Sequence, residues 1–297
     1  MNRIELPTRP GAYRWYYVDV VAGDFTAVFI FMIGSLFSAR YSAGVNRGAL
    51  PAAHSAVSFA LYERGVRRCW VLSEYPDARV EDGGDTLRIG ESSFSYDALG
   101  NVSARVSDRS ALWGRPVEAT LSLTVGAATS APIQLVEGGS HFWHPIAPRG
   151  QARVTLPQHT LDGRAYHDGN FGEVPLGTDC PGWDWARRHG PEETVVRYQP
   201  WGAGPGARLV ADGSGATVVR TQEVPAGRRR TGWGLSVPLA LEGARELRLL
   251  ESSPFYARLE GATGDGSVLG EVANFERFHR PSIRWMARLR TRIGKVA

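Results

Sequence analysis

Cysteine is nearly missing: only Cys69 and Cys180 occur in 297 residues, one in each half of the chain. A disulfide framework or a thiolate metal cluster needs cysteines in groups, so both are excluded. A reducing, cytoplasmic setting is therefore expected. Long apolar runs are also absent. The most hydrophobic stretch, AVFIFMI at residues 27–33, ends at Gly34-Ser35, whereas a membrane-spanning helix needs ~20 apolar residues. It reads as a buried strand. The opening MNRIELPTRPGAYRW contains two prolines and no apolar core, so no export signal is expected there.

Acidic side chains are missing from one region. From Arg280 to the end there are six basic residues and no acidic one, so of 34 basic residues 28 remain to face 30 acidic ones elsewhere. The net charge of +4 and the pI near 9.3 thus belong to a tail, and no reading module for nucleic acid accompanies it. Nucleic acid is not an expected partner. Within residues 281–296, Ile283, Met286, Leu289 and Ile293 recur at helical spacing with arginines around them. A basic amphipathic helix of this kind, carrying Trp285, suits the surface of an anionic membrane. The alternative is a helix packed on the body with solvated arginines. Arg228, Arg229 and Arg230 form a second basic cluster.

What is abundant is punctuation. The chain has 35 glycines and 18 prolines, with turn pairs at Asp82-Gly83, Asp162-Gly163, Asp168-Gly169, Asp212-Gly213 and Asp265-Gly266. Between them lie short runs rich in Val, Thr and aromatics: Trp15 to Val21, Val57 to Tyr62, Ala119 to Val125, Thr194 to Tyr198, Ala216 to Arg220 and Leu247 to Leu250. The expectation is an all-β, antiparallel protein. Strands in this number close into barrels to remove exposed edges, and the length suits two barrels in tandem with one short C-terminal amphipathic helix. A boundary near Pro157 divides the chain into 1–157 and 158–297. A barrel interior can hold an apolar ligand.

Two stretches carry candidate chemistry. Residues two apart on a strand share a face, so SHFWHP pairs His141 with Trp143, and AYHDGN pairs Tyr166 with Asp168. If those faces meet, a cavity gathers an imidazole, an indole, a phenol and a carboxyl group. The set suits protonation of an unactivated carbon–carbon double bond. Asp168 would be the acid, kept uncharged by apolar surroundings. Trp143 and Tyr166 would shelter the carbocation, each by ~0.5–2 kcal/mol. His141 would position water or the acid. Such chemistry needs no metal or organic cofactor. Two plainer readings stand beside it: Asp168-Gly169 as a hairpin turn, and Trp143 and Tyr166 as core aromatics. His141 and His144 with His159 or Asp168 would be a metal set, although the spacing is unlike that of zinc sites.

The segments WYYVDVV (15–21), AVFIFMIGSLFSARY (27–41), HFWHPIAPRGQARV (141–154), GRAYHDGNFGEVPL (163–176), GWDWAR (182–187) and SSPFYARLEG (252–261) together resemble the carotenoid 1,2-hydratase, or hydroxyneurosporene synthase, family. The resemblance implies two tandem lipocalin-like barrels. It also implies cofactor-independent addition of water across the terminal C1–C2 double bond of an acyclic carotenoid such as neurosporene or lycopene. The family's His-x-Trp and Tyr-x-Asp patterns match His141 and Trp143, and Tyr166 and Asp168. Other functions on the same fold are a polyene or terpene cyclase, a Diels–Alder-type pericyclase, and a non-catalytic carrier of apolar ligands. Peripheral contact with the inner membrane through the C-terminal helix would bring the enzyme to a lipid-dissolved substrate.

Overall fold

The computed structural model describes residues 3–129, 131–202, 204–221 and 227–294. The first strands are β1 (Tyr13–Ala22), β2 (Phe25–Ile33), β3 (Ser55–Glu63), β4 (Val66–Tyr75), β5 (Ala78–Glu81) and β6 (Thr86–Ile89). There follow β7 (Ser92–Tyr96), β8 (Val102–Arg109), β9 (Pro116–Ala127), β10 (Ile133–Gln134), β11 (Phe142–Leu156) and β12 (His159–Gly172). A short helix, α1 (Ala39–Gly44), follows β2 and is capped by the Ser38 hydroxyl, which accepts from the Tyr41 N–H. The second half supplies β13 (Gly182–His189), β14 (Thr194–Pro200), β15 (Gly206–Asp212) and β16 (Gly215–Thr221). After the ribbon β17 (Arg228–Arg230) and β18 (Ser236–Pro238) come β19 (Arg248–Ser252), β20 (Tyr256–Ala262) and β21 (Ser267–Asn274). The chain closes with α2 (Phe275–Phe278), α3 (Pro281–Arg290) and β22 (Arg292–Ile293).

Two curled sheets result. The first runs β22-β4-β3-β2-β1-β12-β11-β9-β8-β7-β6-β5, with β10 on β11, and the second runs β16-β15-β14-β13-β21-β20-β19. The described pairings are antiparallel except that of β22 with β4. Among the described residues no helix is long and apolar enough to cross a membrane.

The alternation along β1 and β2 explains the apolar run seen in the sequence. Tyr16, Val18, Val20, Phe29, Phe31 and Ile33 point into the curl of the first sheet, where Phe59 and Phe94 complete a filled core. Their neighbours Tyr13, Trp15, Tyr17, Val28 and Met32 point the other way, against Trp183, Trp185 and Tyr198 of the second sheet. Both faces of these strands are therefore buried, so the sequence reads as continuously hydrophobic. Each large side chain buried this way contributes ~1.5–3 kcal/mol. Because side chains fill the first curl, the ligand-sized space lies between the two sheets rather than inside a barrel.

Two expected features fall elsewhere. Pro157 sits in the turn that joins β11 to β12, where Leu156 pairs with His159. β12 then pairs with β1 from Tyr13↔Gly172 to Val21↔Arg164, so the chain passes from one sheet to the other between Gly172 and Gly182. A proline turn and a linker look alike locally. The C-terminal helix stops at Arg290 instead of reaching Val296: Thr291 is extended, and Arg292 and Ile293 pair with Ser73 and Glu74. Residues 295–297 lie outside the described part of the chain.

Candidate active site

Asp168-Gly169 is not a turn. Both residues lie within β12, toward its C-terminal end, held on one side by β1, where Asp168 pairs with Tyr17, and on the other by β11, where Gly169 pairs with His144. Local turn preference is overridden by two flanking ladders. The alternation then puts Tyr166, Asp168 and Asn170 on the face that looks toward the second sheet, opposite the filled core.

On that face Asp168 is 3% exposed and three donors converge on its carboxyl group. Tyr166 Oη donates to Oδ2 at 2.7 Å, Trp143 Nε1 donates to the same oxygen at 2.9 Å, and Asn170 Nδ2 reaches Oδ1 at 3.2 Å. The indole N–H is also 3.1 Å from Tyr166 Oη. Burial pushes the pKa of Asp168 up to about 8. The hydrogen bonds from Tyr166 and Trp143 oppose that shift, and the negative charges of Glu271 and Asp19 reinforce it. Burial wins, so the carboxyl is largely protonated at neutral pH. With Oδ2 accepting twice, the acidic proton belongs on Oδ1. The buried Oδ1 of Asn170 has no partner among the described residues, and a half-turn of that amide lets it accept the Asp168 proton instead of donating to the carboxylate.

Asp168 borders a cavity of about 460 Å³ whose lining also includes Trp15, Tyr17, Trp183, Trp185 and Tyr198. Its size falls in the range of small-molecule sites. Two rows of directly paired residues form opposite walls. On the first sheet the row is Leu72, Ser58, Ile30, Tyr17, Asp168, across β4, β3, β2, β1 and β12. On the second it is Tyr198, Trp185, Glu271, Arg258, Glu251, across β14, β13, β21, β20 and β19.

The four residues singled out in the sequence are therefore split. Trp143 and Tyr166 do bond to Asp168, but both are fully buried behind it and neither borders the cavity. They hold the Asp168 carboxyl; the aromatic side chains that border the cavity include Trp15, Tyr17, Trp183, Trp185 and Tyr198. His141 is also buried and does not bond to Asp168. Its Nδ1 lies 2.6 Å from Tyr13 Oη and its Nε2 lies 3.1 Å from Tyr198 Oη. The ring stacks on Trp183, with centroids 5.8 Å apart and planes 8° apart. Burial pushes its pKa down to about 4, against the pull of Asp179, so the imidazole is neutral with a single N–H. Donation from Tyr13 to Nδ1 and from Nε2 to Tyr198 satisfies both nitrogens and leaves the Tyr198 O–H proton for the cavity. His144 turns instead toward the Thr129 carbonyl, 3.3 Å from Nε2, and His159 starts β12 at the opposite end from Asp168.

Reasoning from the sequence missed Tyr17, Asn170, Trp183, Trp185, Tyr198 and Glu271. A usable signal existed for the aromatics: Tyr13, Trp15 and Tyr17, and Trp183 and Trp185, each repeat with period two, as residues on one strand face do.

Comparison with known proteins follows the same lines. Residues 29–295 match the family model for carotenoid hydratase CrtC. The chain is 30% identical to an acyclic carotenoid 1,2-hydratase of Thiocapsa roseopersicina, covering 98% of this chain and 76% of that protein. It is also 30% identical to the acyclic carotenoid 1,2-hydratase of Rubrivivax gelatinosus, covering 91% of this chain and 69% of the relative. Among solved structures, kievitone hydratase from Nectria haematococca superposes with a TM-score of 0.51 at 11% identity, over 91% of this chain and 90% of that one. At that identity the likeness is one of fold, mostly β with curled, lipocalin-like sheets.

Proposed function

The chain belongs to the carotenoid hydratase family, and from that premise we propose that it adds water to the terminal C1–C2 double bond of an acyclic carotenoid or related isoprenoid, with Asp168 as the acid. One observation carries the mechanism: a carboxyl group held uncharged by burial, fixed by Trp143 and Tyr166, faces a cavity with aromatic walls. Carbon is a poor proton acceptor, so the acid must be protonated at working pH and pressed against the alkene. Asp168 Oδ1 gives its proton to C2, and the tertiary cation left at C1 is flanked by π faces that stabilise it by ~0.5–2 kcal/mol each. Water then bonds to C1. Proton transfer and water capture consume no electrons, so no redox cofactor is assigned.

Access to a lipid-dissolved polyene belongs to the same proposal. Trp233, Met286, Leu289, Arg67 and Arg290 border the cavity, with Trp233 49% and Leu289 67% exposed. Trp285, on the same helix, is 63% exposed. Ile283 and Ala287 anchor α3 to the body while Trp285, Arg288, Leu289 and Arg290 stay exposed. Apolar side chains among arginines suit the headgroup layer of an anionic bilayer. The enzyme would work in the cytoplasm, on the membrane surface, taking the end of the polyene into the cavity.

Turnover of lycopene or neurosporene in liposomes, in ¹⁸O-labelled water, tests the proposal. The expected product is a tertiary alcohol heavier than its substrate by one labelled water, and Asp168→Asn, folded, makes none. An unlabelled isomer of the substrate would instead mean a cyclase, and unchanged ligand a carrier; either result overturns hydration.

A further inference from the structure

We propose that Glu271 is the base that takes the proton of the attacking water, working from the sheet opposite the acid. This rests on Asp168 being the acid and adds the second half of the reaction. Glu271 borders the cavity between Trp185 and Arg258 in the row that faces Tyr17 and Asp168. An alkene lying between the sheets therefore meets an acid on one face and a carboxylate on the other. That is the geometry needed to protonate C2 from one side and deliver water to C1 from the other.

Two further observations point to water at this place. Arg258, 3% exposed, grips Glu271 by one oxygen, with Nε and Nη2 each 2.9 Å from Oε1. It also bonds Glu251 Oε1 and Tyr62 Oη, both at 3.0 Å. Glu271, its side chain 12% exposed, is held as an anion by the guanidinium that neutralises it. The hydroxyl of Tyr17, 4% exposed and next to Asp168 in its row, meets no hydrogen-bond partner among the described residues. Buried hydroxyls are almost always satisfied. A water lodged between the sheets satisfies it, accepting from or donating to Tyr17 and donating to Glu271.

The protons and electrons balance. The Asp168 O–H bond breaks as the alkene π pair bonds the proton at C2. A lone pair of water bonds to C1, the water O–H bond breaks, and its proton bonds to the Glu271 carboxylate. Glu271 then holds the proton that Asp168 has lost, and transfer back through cavity water or the Tyr17 hydroxyl resets both groups. The pair carries one negative charge before protonation and after water capture; in between both carboxylates are charged, and the cation at C1 offsets the second charge. The negative charge of Glu271 favours the protonated form of Asp168 and contributes to its raised pKa.

The test is Glu271→Gln in the full chain, with lycopene in liposomes made up in D₂O. Without the base the cation still forms. It then loses a methyl proton to the Asp168 carboxylate, giving an isopropenyl hydrocarbon with one deuterium at C2. The expected result is a loss of alcohol of roughly 100-fold or more, the scale of a lost general base, with that deuterated hydrocarbon in its place. Glu271→Asp keeps the charge against Arg258 and so preserves the fold; it should lose about tenfold in alcohol and leak the same hydrocarbon. Native alcohol formation in either variant overturns the proposal, as does a folded Glu271→Gln that binds substrate yet yields neither product. Asp168→Asn should make neither product. Deuterium entering at C2 in that variant would sink the acid assignment and this one together, whereas failure confined to the Glu271 variants leaves Asp168 in place.

Discussion

The indole of Trp143 donates to Asp168 Oδ2 at 2.9 Å from the neighbouring strand while standing entirely behind the carboxyl group. In the proposed mechanism its effect on catalysis thus passes through Asp168. Trp143→Phe removes a donor that favours the charged form, so the pKa of Asp168 should climb above about 8 and the acid should weaken. A hydrogen bond to a charged group is worth ~1.5–3 kcal/mol, or roughly 10- to 100-fold in rate. We expect kcat to fall on that scale, KM to change little, and the alkaline limb of the rate profile to move upward. An unmoved limb would mean that the indole acts on packing alone.

The uncharged state of Asp168 also sets a pH dependence with a definite sign. Activity should decline about tenfold per pH unit above the pKa of about 8. Stability should respond in the same direction. The folded state keeps a proton that the unfolded chain releases near ~3.9, so this contribution is fully present below that value and is lost as pH rises through about 8. His141 and His167, both pushed down to about 4 by burial, act oppositely between there and their unfolded pKa of ~6.5. The carboxyl slope should therefore stand clear from pH ~6.5 upward, at no more than ~1.4 kcal/mol per unit. Urea midpoints of the native chain and Asp168→Asn across that window decide it: the slope should flatten in the variant.

Where one face of a strand is buried, its chemistry is legible from local sequence. Tyr166 and Asp168 share a face because they are two apart, and Trp143 and His141 likewise, so their common orientation could be read before any pairing was known. The bonds they make could not. The ring of His141 goes to Tyr13 and Tyr198, on β1 and β14, and nothing in SHFWHP specifies strands so distant in sequence. Glu271 and Arg258 reach the cavity through the register of β13, β21 and β20, a property of the assembled sheet. The same limit explains Asp168-Gly169 and Pro157. A dipeptide signals a turn by its own preferences, yet two flanking ladders keep the first pair extended, and the second site is a hairpin inside one sheet.

His141 supports two tyrosine hydroxyls, and that dictates how its loss should look. His141→Phe retains the stack on Trp183 but leaves Tyr13 Oη and Tyr198 Oη without their ring-nitrogen partners. A buried polar group left unsatisfied costs ~1–3 kcal/mol, so we expect a stability loss of about 2 kcal/mol or more by urea unfolding. Because His141 does not touch Asp168, the alkaline limb near pH 8 should stay in place even as the rate falls. A shift of that limb would show that the imidazole acts on the acid.

Trp285 allows the proposed membrane contact to be separated from the chemistry. It is 63% exposed on α3 and does not border the cavity, whereas Met286 and Leu289 of the same helix do. Trp285→Ser removes an interfacial anchor and leaves the helix seated through Ile283 and Ala287. Partitioning onto vesicles containing anionic lipid should weaken several-fold, since the apolar area lost on the rim is worth ~1–2 kcal/mol. Turnover of substrate dissolved in vesicles should fall by the same factor, while turnover of detergent-dispersed substrate should hold. Raising the salt should mimic the variant, because the arginine contribution is screened within a Debye length of ~10 Å at 0.1 M. If the variant partitions like the native chain and salt has no effect, α3 packs on the body and the polyene reaches the cavity by another route.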